Sequence, residues 1–146
     1  MASRLANVFP GNPADIVIIH SGHNLNKTEL VLDSAGLATV INTAETATRS
    51  MITICRNTNP KVRIILSKVI PAGKLPKYSY IPAMNTRLGE IAAELNTPAQ
   101  PVIIVDQETG FDWQTDTISS DLVHPNASGA AKMAAKYFSA LVPLLE

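Results

Sequence analysis

Near its C-terminus the sequence reads Asp121-Leu-Val-His124-Pro125-Asn126, and near its N-terminus Gly22-His23-Asn24. An Asp and a His three apart, outside a helix and followed by proline, can fold back so that the carboxylate orients the imidazole. A histidine held in one tautomer by a carboxylate is the general base of nucleophilic hydrolysis. Asn126 or Ser128 then caps the helix that follows. A capped helix that merely begins with a surface histidine fits the same string. The elements around it must therefore decide.

Three unbroken apolar runs supply those elements: residues 15–20, 62–70 and 101–105. Such β-branched runs suit strands buried on both faces of a parallel sheet. Helical spacings lie between and after them. Leu37, Val40, Ile41, Ala44, Ala47, Met51 and Cys55 form one stripe, and Ile81, Met84, Leu88, Ile91 and Leu95 a second. Met133, Ala134, Tyr137, Phe138 and Leu141 mark a last helix. The order β-α-β-α-β-α predicts an α/β fold with a parallel sheet, in a single domain over residues 1–146. In open α/β sheets ligands bind at the carboxyl ends of the strands. Three segments gather there: 20–25, 106–113 and 121–126. The proline-rich stretch 71–82 follows the second strand and reads equally as a wall of that site or as a plain connection.

The combination of strand-Gly22-x-Asn24 with Asp121-x-x-His124-Pro125-Asn126 resembles the SGNH (GDSL-type) hydrolases. Residues 13–20 look like that family's third strand, and Ile70-Pro71 like the end of its fourth. The phrase Asp-Leu-Val-His-Pro-Asn-Ala-Ser-Gly-Ala-Ala-Lys-Met-Ala is most similar to the branch that deacetylates plant polysaccharides. The resemblance runs from about Asp15 to the end. It implies a flavodoxin-like α/β/α fold in three layers, with Asp121 and His124 as two members of a catalytic triad and Asn24 lining the oxyanion hole. Three departures qualify it. Nothing matches the family's Gly-Asp-Ser nucleophile segment, the glycine of its second strand is missing, and Leu25 stands where an Asp usually follows the oxyanion Asn. The chain looks like the C-terminal two-thirds of the fold, truncated at the N-terminus.

Other residues near the strand ends have plainer readings beside functional ones. Ser21, Ser119 and Ser120 are expected in turns, since a nucleophile must reach both the base and the oxyanion donors. His20, ending a strand, is expected to be either a histidine satisfied inside the core or one that supports the site from behind, rather than a ligand. Gly22 and His23 in the turn are candidate substrate-binding residues, although solvent exposure also suits His23. Trp113, the one tryptophan, is a candidate platform for a sugar ring or a cover for the core. No pair among His20, His23 and His124 has helical metal-ligand spacing, so neither a metal nor any other cofactor is expected.

Composition excludes other classes. Apolar residues make up 46% of the 146, charged residues 16%, and 12 basic groups balance 12 acidic ones. A duplex-binding protein needs a cationic surface, so nucleic acid is not an expected partner. No apolar run approaches the roughly 20 residues that span a bilayer, so no membrane partner is expected either. No glycine-rich phosphate loop follows any strand, against a nucleotide binder. The single cysteine leaves the compartment open, and only the family resemblance implies secretion. The expected function is a carboxylic-ester hydrolase acting on acetylated carbohydrate or a small ester, without its serine segment and inactive as this chain alone. The alternative is a truncated, non-catalytic module that binds a glycan or a partner chain. In the family's sheet the first strand flanks the third, so strand 15–20 is expected to lie open at an edge and to drive homo-oligomer formation.

Overall fold

A computed structural model describes residues 1–145. Helix α1 (Ala2–Val8) and a 3-10 turn (Phe9–Gly11) precede strand β1 (Ile16–Ile19), helix α2 (Ser34–Thr58), strand β2 (Arg63–Ser67), helix α3 (Ile81–Leu95) and strand β3 (Val102–Val105). A short helix α4 (Trp113–Asp116) and the long α5 (Ala127–Leu145) complete the chain. The three strands form one parallel sheet in the order β1-β2-β3, with Ile18 opposite Ile65 and Ile65 opposite Ile103. Side chains alternate across a strand, so each apolar run feeds two layers. Ile19, Ile64, Leu66 and Val102 join the α2 and α3 stripes in the main core. Ile65 and Val105 face the other way, against Tyr137, Leu141 and Leu144 of α5. The expected three-layer α/β fold is the observed one.

Three details depart from the sequence reading. Residues 1–10 carry helix α1, which no periodicity announced; Ala2 and Leu5 pack against the main core. The second apolar run overshoots its strand, because the chain leaves the sheet after Lys68, whose N–H bonds the Val105 carbonyl. Asn85, fully buried on α3, takes over as the partner of Val69: its Oδ1 accepts from the Val69 N–H and its Nδ2 donates to the Val69 carbonyl. Left unpaired, each of those buried backbone groups would cost about 1–3 kcal/mol. This side-chain bridge lets the chain run on past the strand and deliver Ile70 to the carboxyl edge of the sheet. Finally, Phe138 on the expected α5 stripe is 69% exposed. The face of α5 that meets the sheet instead carries Tyr137, Ala140, Leu141 and Leu144.

The strand β1 lies at the sheet edge, as expected. It pairs only with β2, and Ile18 is 44% exposed on the side where α5 covers Ile65. On the opposite layer a surface network of Glu45, Arg49, Arg87, Glu90 and Glu94 ties α2 to α3. Glu45, between two guanidinium groups, is held down at about 2 by hydrogen bonds from Arg87 and Arg49.

Candidate active site

The turn that carries Asp121 and His124 is closed on itself. Thr117 and Pro125 form an isolated antiparallel bridge, and the Ile118 N–H bonds the His124 carbonyl at 2.8 Å. Within it Leu122 adopts a positive φ of 57°, a conformation that costs a non-glycine residue of order 1 kcal/mol or more. That reversal folds residues 121–124 around one carboxylate. Asp121 Oδ1 accepts the backbone N–H groups of Val123 (2.8 Å) and His124 (3.0 Å), and Oδ2 takes His124 Nδ1 at 2.7 Å. The two backbone N–H groups and then the imidazole hold the Asp121 carboxyl down at about 2. An ionised carboxylate can only accept, so Nδ1 carries a proton, and in the neutral ring Nε2 presents the lone pair. The His124 side chain is 74% exposed, which leaves that lone pair accessible.

Asn126 stands after the turn. Its Oδ1 accepts from the Gly129 N–H, capping α5, while its Nδ2 donates to the Thr115 and Thr117 carbonyls. Beneath, the buried Asp116 carboxylate accepts from Lys132, Ser128 and the Asp112 N–H, which lower its pKa, the lysine foremost. These bonds pin both stems of the turn to the start of α5.

Asp121 and His124 border a cleft of about 460 Å³ together with His20, His23, Asn24 and Lys74. The sequence pair Asn24 and Asp121/His124, nearly 100 residues apart, is thus brought to one site. Gly22 sits one step back. Its φ of +142° lies where side chains are strained, and a Cβ there would approach Met84 Cε to 2.6 Å. The Tyr80 hydroxyl donates to its carbonyl at 2.6 Å. Gly22 therefore shapes the turn that presents His23 and Asn24.

The segment 71–82 is a wall of the site: Lys74 and Tyr78 line the cleft beside Ile70, and the Gly73 N–H bonds the Leu122 carbonyl at 2.7 Å. Lys74 and Tyr78 were not singled out by type or spacing, and only their proline-rich setting pointed toward them. His23 is not solvent-exposed. It is half-buried, with Nε2 donating to the Ile70 carbonyl at 3.0 Å, so its Nδ1 is the free acceptor. Burial is the largest influence on it and lowers its pKa. His20 corrects the expectation of a satisfied core histidine: its buried Nε2 has no hydrogen-bond partner, its ring stands 5.9 Å from that of His23, and it borders the cleft. Burial, then repulsion from His23, brings it down to about 4. Trp113 lies outside this cleft and borders a neighbouring cavity. Ser21 borders an adjoining pocket that shares His20, His23 and Asn24 with the cleft, and Ser119 and Ser120 are exposed, as turn residues would be. Among the described residues no serine lines the cleft. No cluster of three metal-ligating side chains occurs among them.

No family model matches the sequence, and no curated protein matches it. Four solved chains do resemble the fold, including the following two. One is an acetyl esterase in a serine-to-alanine mutant form with acetate ion: TM-score 0.77, 24% identity, covering 99% of this chain and 67% of that one. The other is a carbohydrate esterase family 3 protein from Talaromyces cellulolyticus, with TM-score 0.75, 23% identity and the same coverages. The chain has the fold of these esterases over two-thirds of their length.

The histidine pair generates a pH signature. His20 falls from 6.5 to about 4 on folding, so the unfolded chain takes up its proton first as the pH drops. Stability from a neutral His20 is fully present above about 6.5, declines toward 4, and levels off below it. NMR should show the His20 ring unchanged between pH 7 and 5, and His20→Gln should flatten the loss of denaturant stability over that range. A His20 midpoint near 6.5 would contradict the buried, unpartnered placement.

Proposed function

We propose that this chain is an SGNH-type ester-hydrolase fold carrying the base and oxyanion side of a carbohydrate deacetylase site without its nucleophile. The observation that supports it most is the 2.7 Å contact between Asp121 Oδ2 and His124 Nδ1 in a cleft that also holds Asn24. The likeness to an acetyl esterase and a carbohydrate esterase supports the same substrate class. In the complete reaction a serine hydroxyl attacks the acetyl carbonyl and His124 Nε2 accepts its proton. Asp121 keeps the imidazole oriented through Nδ1, and the Asn24 amide donates to the oxyanion. One such donor is worth about 3 kcal/mol of barrier. His124 then gives that proton to the departing sugar oxygen. Water attacks the acetyl-serine, with His124 again taking the proton, to release acetate and restore the serine. His23 and Gly22 contribute a substrate contact and the backbone turn that presents it.

On this reading no serine completes the triad, and only the residual catalysis of an incomplete triad remains. The chain alone should hydrolyse p-nitrophenyl acetate no faster than an equal concentration of free imidazole. Robust turnover that Ser21→Ala abolishes would overturn this reading and make Ser21 the nucleophile.

We further propose that the chain is a homo-oligomer, joined through strand 15–20. The β1 edge offers unpaired backbone groups flanked by Ile18, with neither charge nor proline between Ile16 and Ile19 to discourage pairing. A twofold dimer closes such an edge most simply. Sedimentation at micromolar concentration should give a dimer or larger, and Ile18→Lys should shift it to monomer. A folded, monomeric wild-type chain would contradict the proposal.

A further inference from the structure

A second cavity, of about 310 Å³, lies across the segment 71–82 from the His124 cleft. Tyr78 borders both spaces. The remaining walls include Trp113, Leu75, Glu108, Pro71 and Pro82. The indole is clamped: a Cβ on Gly73 would come within 2.2 Å of Trp113 Cε3, so the six-membered ring rests directly on the Gly73 backbone. The Thr117 hydroxyl donates to the Trp113 carbonyl at 2.6 Å and fixes the turn below it. Trp113 is nonetheless only half-buried, and Leu75 beside it is 62% exposed. Glu108 supplies the one carboxylate in the lining. Its ion pair with Lys68 is loose, at 3.8 Å, which leaves acceptor capacity on its oxygens.

From this arrangement we infer that the cavity is a binding site for a neutral sugar ring, one unit along the chain from the ring whose ester lies at His124. The inference rests on the carbohydrate-ester reading of the main cleft. A pyranose has flat faces of slightly positive C–H groups and a rim of hydroxyls. The faces suit the electron-rich surface of a rigid indole, and the hydroxyls suit a carboxylate at its edge. The volume lies at the lower end of small-ligand pockets, about 300–1,000 Å³, which accommodates one ring rather than several. An acyl chain would gain nothing from the carboxylate. Proline walls and a tryptophan seated on backbone keep the cavity formed before the ligand arrives, which lowers the ordering cost of binding.

Trp113 is the only tryptophan, so its emission reports on this cavity alone. Titration of the full chain with unacetylated xylotriose should give a saturable fluorescence change. Glu108→Gln should weaken it about tenfold, the loss of one charge-assisted hydrogen bond. Leu75→Arg, at an exposed position in the mouth, should abolish it while far-UV circular dichroism stays that of wild type. Because the sugar carries no ester, the result is independent of hydrolysis, and a chain that never cleaves acetate can still pass. An unchanged spectrum with xylotriose, or a response to decanoate in its place, would overturn the proposal. So would a xylotriose response that survives Leu75→Arg.

Discussion

The site depends on one carboxylate with three donors. Asp121 closes the turn 121–124 by accepting two backbone N–H groups on Oδ1, and only then is Oδ2 aimed at the imidazole. The positive φ at Leu122 is the local strain that this closure carries. The same residue's carbonyl accepts the Gly73 N–H, so the strained turn also fastens the wall that carries Lys74 and Tyr78. Removing the carboxylate would release the histidine, the turn and a contact to the wall together.

The rest of the fold brings partners to that turn. Parallel strands end at one edge, and β1 and the extension of β2 deliver His23 and Ile70 to the same cleft. Asn85 makes the extension possible, because it substitutes for a strand neighbour at Val69 where the sheet has stopped. The Ile70 carbonyl then fixes the His23 tautomer. Asn26, buried below the turn, donates to the Lys77 carbonyl and joins the first loop to the second. Its amide and that of Asn126 are both engaged in structural hydrogen bonds, although each begins an Asn-x-Ser/Thr triplet.

Much of this was legible in the sequence because it is local or periodic. The three apolar runs and the two interior helical stripes mark their elements, since burial on a strand or helix imposes its own spacing. Asp121-x-x-His124-Pro125 was readable because the whole interaction is contained in one turn. What escaped depends on tertiary contacts. Nothing in the spacing of Asn85 says that it replaces a strand, or that His20 ends with an unpartnered nitrogen beside a cleft. Lys74 and Tyr78 sit in an irregular stretch, so their position is set by the Gly73–Leu122 bond rather than by any period. Helix α1 packs through few apolar side chains and leaves little pattern to find.

The central claim is that Asp121 alone holds the His124 ring, when it is neutral, in the tautomer with the proton on Nδ1 and the lone pair on Nε2. Nitrogen-15 NMR of the imidazole in mildly alkaline buffer reads that state directly. The structure requires a protonated, hydrogen-bonded Nδ1 and a bare Nε2 for His124, with the preference lost in Asp121→Ala. A ring protonated mainly on Nε2, or one whose tautomer ratio ignores the loss of Asp121, would contradict the account.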